Sequence, residues 1–231
     1  MRDVRPVEAD TEACGFPMVI FRRLTPCTRP MGLLLVLAAL SSACAGSPLA
    51  ASARPLPQVW ALSGQSNVIG LKPALEPYAT IIGAAEGSQP ISAWGPNTPL
   101  WTQLEATLLS LRGRQADAFI WWQGENNRYD VETYPASLDD LLARVRAIQN
   151  PRRIVICGVG GMAGYEDFRA MQRGYALEHG LIFVPAEDLP RTQPGDFDVP
   201  SGGIWPGGDY NPHLTVEGYR IMAQRVAEAL R

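Results

Sequence analysis

From residue 58 onward the chain alternates short runs that are largely apolar with longer runs in which apolar residues recur every three or four positions. The uninterrupted runs are Gln58 to Leu62, Ile81 to Ala85, Ala118 to Trp122, Arg153 to Gly158 and Leu181 to Pro185. They lack the in-out alternation of a strand with one wet face, so they read as strands buried on both faces. The periodic runs read as amphipathic helices. Trp101, Leu104, Leu108 and Leu111 share one face, as do Leu138, Leu141, Leu142, Val145 and Ile148, and Tyr219, Met222, Ala223, Val226 and Leu230. Gly180, just after His179, stands where a helix should stop. Strands alternating with helices predict an α/β fold, a three-layer sandwich whose mainly parallel five-stranded sheet is flanked by helices. The stretch from Pro190 to Pro212, rich in Gly, Pro and Asp, is expected to be a long functional loop before the last helix.

Composition adds limits. With 231 residues, 46% of them apolar and 19% charged, the chain is expected to carry one globular domain over residues 55–231. A net charge of -3 without long charge runs argues against a nucleic-acid partner, which would need a cationic stripe to neutralise phosphates. Cys14, Cys27, Cys44 and Cys157 have no paired spacing, which argues against a metal site or a disulfide framework.

Residues 1–53 read as an N-terminal extension with an export signal. Arg22, Arg23 and Arg29 precede an apolar run from Met31 to Leu40, and small residues from Ser41 to Ser47 follow. The run is much shorter than the roughly 20 apolar residues that cross a bilayer. A periplasmic or extracellular location is therefore expected. Leu40-Ser-Ser-Ala-Cys44 resembles a bacterial lipoprotein signal, which would give a lipid anchor at Cys44 and no other membrane contact. Ala43-Cys-Ala45 and Ala51-Ser-Ala53 would equally serve soluble release.

Chemistry concentrates in three places. Trp60 to Asn67 runs a hydrophobic strand into Gly64 and delivers Ser66 at the carboxyl end of the sheet, where open α/β folds place ligands. Ser66 is thus a candidate nucleophile, or else a helix cap. A serine nucleophile needs a base, and the chain has two histidines. His179 ends a helix pattern, where the dipole favours an imidazolium, and reads as structural. His213, on the loop before the final helix, reads as the base. The third place is Phe119 to Asn127, an apolar strand ending abruptly in polar residues at the same edge. There Gln123 can donate to an oxyanion and Glu125 can accept from an imidazole.

Gly64-Gln-Ser-Asn67, Gly87-Ser-Gln-Pro-Ile-Ser-Ala-Trp94, Trp122-Gln-Gly-Glu-Asn126, and His213-Leu-Thr with Gly218-Tyr219 resemble, in order and spacing, the sialate O-acetylesterase and acetylxylan esterase branch of the SGNH hydrolases. The resemblance implies an SGNH, flavodoxin-like fold with Ser66 as nucleophile and His213 as base. It implies an oxyanion hole made by the amides of Ser66 and Gly87 with the Gln123 side chain. Glu125 is favoured to orient His213. Many members carry an aspartate three residues before the histidine, where this chain has Tyr210, and Asp209 is the alternative. Gln65, Asn67, Asn126 and Trp205 are expected to bind substrate. The reaction implied is removal of acetyl or other small acyl groups from carbohydrate hydroxyls, with neither metal nor organic cofactor. A binding module that has lost turnover is the alternative, and a lipase or thioesterase is less favoured because no apolar lid segment is visible.

Overall fold

The computed structural model describes residues 57–193, 197–198, 203–204 and 211–231. All five apolar runs are strands: β1 Val59–Gly64, β2 Thr80–Ala85, β3 Ala118–Trp122, β4 Arg153–Cys157 and β5 Ile182–Val184. They pair in the order β2-β1-β3-β4-β5, and every pairing is parallel. The helices are α1 Ser66–Leu75, α2 Pro99–Leu109, α3 Tyr134–Ile148, α4 Glu166–Glu178 and α5 Val216–Ala229. The stretch read as irregular contains a short antiparallel pair, β6 Phe197–Asp198 with β7 Gly203–Ile204. Two-residue strands leave no periodicity for a sequence to reveal.

The strands are largely apolar because helices cover both faces of the sheet. Alternate residues of β3 divide between two cores: Phe119 and Trp121 pack with α2, α3 and α4, whereas Ala118, Ile120 and Trp122 pack with α1 and α5. This makes the sandwich three layers deep. Trp94, Trp101 and Trp122 are all buried, so these tryptophans are core. The α2 and α3 layer is tied by Arg144, whose guanidinium lies 3.9 Å from the Trp101 ring and donates to the Trp94 carbonyl. At the end of α4, Gly180 takes a φ of +62°, the left-handed stop expected there.

Connection order positions the site. The chain leaves β1 to form β2 on one side, then returns to form β3 on the other. Sheet order therefore reverses between β1 and β3. Loops leaving the carboxyl ends of those two strands diverge and open a crevice. Ser66 follows β1 and Gln123 follows β3, so both flank it.

Candidate active site

Gly64 makes the turn that presents Ser66. Its φ is +141°, and a Cβ there would lie 2.0 Å from the Trp122 carbonyl oxygen. That closeness lets Gln65 N donate to the same oxygen at 3.1 Å, holding the turn against the end of β3. Ser66 then opens α1, so its amide is in the first helical turn, where no helical carbonyl is available to accept. The positive end of the α1 dipole coincides with the hydroxyl. Gly87 lies alongside, close enough that a Cβ on it would be 3.7 Å from the Ser66 Cβ.

His213 reaches the same point from 147 residues away, with its Nε2 2.8 Å from Ser66 Oγ. Its loop is moored to the segment before it. Asn211 Oδ1 accepts from His213 N at 3.1 Å, its Nδ2 donates to the Thr192 carbonyl at 2.6 Å and to the Thr192 hydroxyl, and Thr192 N donates to the His213 carbonyl at 3.1 Å. Neither Asn211 nor Thr192 was singled out from the sequence. Asparagine and threonine in a Pro-rich loop carry no periodic signal.

Asn67 is completely buried, so it is not a substrate contact as expected. Its Nδ2 donates to Glu125 Oε1 at 2.7 Å and to the Pro212 carbonyl at 3.0 Å, and its Oδ1 accepts from the Tyr219 hydroxyl at 2.8 Å. The expectation for Glu125 also changes. Its carboxyl is engaged by Asn67, and neither a hydrogen bond nor an ion pair joins it to His213. Glu125 is 3% exposed, its Oε1 is turned to Asn67, and Oε2 has no partner among the described residues. Burial pushes its pKa up to about 7, against the opposing effect of hydrogen bonds from its own backbone and Asn67. The other acid considered, Asp209, lies outside the described residues, as do Trp205 and the export segment with Cys44.

Gln123 is a hub rather than an open donor. Its Nε2 is within hydrogen-bonding reach of Asn127 Oδ1 at 2.6 Å, the Gln89 carbonyl at 3.1 Å and Gln65 Oε1 at 3.2 Å. Two N–H groups shared among three acceptors leave none for a substrate oxygen, and the residue is fully buried. The expected oxyanion role is therefore replaced by a structural one: Gln123 joins the turn after β1, the loop after β2 and the turn after β3. Asn127, the last residue of the polar cluster after β3, extends the hub by accepting from Ile91 N at 2.8 Å. Gln65 is 2% exposed and belongs to the same network, so it too is withdrawn from substrate. Of the residues expected to bind substrate and described here, Asn126 alone is exposed, with Nδ2 donating to the Ser88 carbonyl at 3.2 Å. Carbonyls of the β3 turn are capped from below: Tyr134 and Gln172 donate to Gln123 O, and Tyr165 to Glu125 O. Among the described residues, no cluster of three or more His, Cys, Asp or Glu side chains could hold a metal ion.

Residues 71–231 match the family model for carbohydrate esterases described as sialic acid-specific acetylesterases. The chain belongs to that family. This acetylesterase-family chain is a carboxylic ester hydrolase, as the resemblance implied. Its fold is shared with solved structures at low sequence identity. An Arabidopsis thaliana protein is 18% identical with a TM-score of 0.57, covering 76% of this chain and 98% of its own. A putative lipolytic protein of the G-D-S-L family from Desulfitobacterium hafniense is 12% identical with a TM-score of 0.53, covering 74% and 99%. An acetyl xylan esterase is 15% identical with a TM-score of 0.50, covering 74% and 98%. No curated protein matches the esterase.

Proposed function

We propose that this esterase removes acetyl groups from carbohydrate hydroxyls through a covalent acyl-enzyme on Ser66. The observation that carries the reading is the 2.8 Å approach of His213 Nε2 to Ser66 Oγ, the geometry of a hydroxyl and the base that takes its proton. As Ser66 Oγ bonds to the ester carbon, its proton passes to Nε2 and the carbonyl electrons move onto oxygen. The Ser66 amide, at the positive end of α1, and the Gly87 amide beside it are the donors assigned to that oxyanion. Collapse expels the sugar oxygen, which takes the proton from Nε2. Water, deprotonated by the same nitrogen, then releases acetate and restores Ser66.

Asp209 is assigned the orienting role toward His213, because Glu125 turns Oε1 to Asn67 and makes no hydrogen bond to the imidazole. Export is retained from the charged, apolar and small-residue order of residues 22–47, with the lipid anchor at Cys44 as one form of it. An extracellular glycan would suit such a location. The test is hydrolysis of p-nitrophenyl acetate by the parent and by Ser66→Ala, with labelling by a serine-directed phosphonate. The parent turns over, Ser66→Ala does not, and the label falls on the peptide containing Ser66. Full activity in Ser66→Ala, or a label elsewhere, defeats the proposal.

A further inference from the structure

We infer that Asn67 and Tyr219 form a positioning unit that sets the distance between the Ser66 hydroxyl and the His213 imidazole, with Tyr219 acting through Asn67. The inference rests on the proposed roles of Ser66 and His213.

Asn67 follows Ser66 directly in the chain. Its Nδ2 donates to the carbonyl of Pro212, the residue directly before His213, at 3.0 Å. One amide group is thus a single residue from the nucleophile and, across one hydrogen bond, a single residue from the base. The covalent route between the two runs through 147 positions. A shift in this amide moves one reacting group relative to the other, and misplacement by about 1 Å can cost roughly 10²-fold in rate.

An amide alone does not know which way to face. Turned over, Asn67 would set its oxygen against the Pro212 carbonyl, which can only accept. The Pro212 carbonyl thus selects the orientation, and the Tyr219 hydroxyl, donating to Oδ1 at 2.8 Å, holds Asn67 in it. Tyr219 reaches it because Gly70 gives way: a Cβ on Gly70 would lie 2.3 Å from the ring. The ring also packs on Trp122, edge to face at 6.3 Å between centroids. Asn67, Glu125 and Tyr219 are 0%, 3% and 2% exposed, so water cannot replace a lost bond. Such burial also keeps them from touching substrate, and they are positioning residues for that reason.

The experiment uses the full chain with Tyr219→Phe, which removes the hydroxyl and keeps the ring, together with Asn67→Ala and the double variant. For each, kcat and KM on p-nitrophenyl acetate, the rate of phosphonate labelling and the melting temperature are measured. Tyr219→Phe is expected to lower kcat about three- to tenfold with KM unchanged, the loss that one buried neutral hydrogen bond predicts. Added to Asn67→Ala, it is expected to cost nothing more. A lower melting temperature with parental kcat, or losses that simply multiply, overturns the inference. Should Asn67→Ala not fold, the labelling rate of Tyr219→Phe decides: a fall in step with kcat supports the unit, and a parental rate refutes it. Full turnover in Ser66→Ala would instead defeat the proposed nucleophile, whatever Tyr219→Phe does.

Discussion

Glu125 and Asn67 are joined by a hydrogen bond of 2.7 Å between Oε1 and Nδ2, and this bond turns toward Asn67 one oxygen of the carboxyl that the sequence offered to His213. Two acids were candidates to orient the histidine. The bond separates them.

Glu125→Gln keeps an acceptor for Asn67 and is expected to lower kcat on an aryl acetate by no more than about threefold, within the range of one perturbed hydrogen bond. Asp209→Asn is expected to lower it by about 10²-fold or more, as loss of an orienting carboxylate does. The two variants, assayed side by side, exchange places if Glu125 is the orienting acid after all.

Stability should depend on pH through the same carboxyl. Folding raises the Glu125 pKa from 4.5 to about 7, so the folded chain binds its proton more tightly than the unfolded chain. The stability linked to that proton is fully present below about pH 4.5 and is lost as pH rises through 7, at most about 3 kcal/mol in all. Glu125→Gln never ionises. It should therefore melt several degrees above the parent at pH 8, with the gain shrinking toward pH 5. A constant offset across this range would show that the carboxyl does not titrate there.

Gln123→Ala cuts the contact shared by the loops after β1, β2 and β3, removing the donor common to the Gln65, Gln89 and Asn127 acceptors, of which Asn127 keeps the Ile91 amide. The expected outcome is a fall in melting temperature corresponding to about 1–3 kcal/mol, together with reduced kcat. Reduced kcat at an unchanged melting temperature would return Gln123 to the oxyanion hole. Thermal melts and initial rates on one preparation suffice.

Gly70→Ala sets two effects against each other. Alanine in a helix gains about 0.5–1 kcal/mol over glycine. Against this, the new Cβ meets the Tyr219 ring at 2.3 Å, a rigid obstacle, and overpacking of this kind costs about 1–3 kcal/mol. The clash wins. Chemical denaturation should show net destabilisation, and a stabilised variant would mean that the ring moves freely.

All five sheet strands were legible as apolar runs, and the α2, α3 and α5 faces as stripes, because burial between helix layers leaves a local record in every residue of a strand. Ser66 was legible for a related reason. A glycine that must turn beneath a neighbouring carbonyl, as Gly64 does beneath Trp122, sits beside it in the chain. Tyr219 shows the limit: its ring belongs to the α5 stripe and was read as core, which it is, while the hydroxyl that matters to Asn67 leaves the periodicity unchanged.

By itself the sequence determined the layers, the strand edge where chemistry collects, and the serine and histidine that meet there. Those follow from patterns within a few residues or from having only two histidines to choose between. Only the tertiary structure decided what Gln123, Glu125 and Asn67 do. Each is a polar side chain whose role depends on which acceptor or donor burial brings within about 3 Å, and those partners come from segments that no local pattern connects.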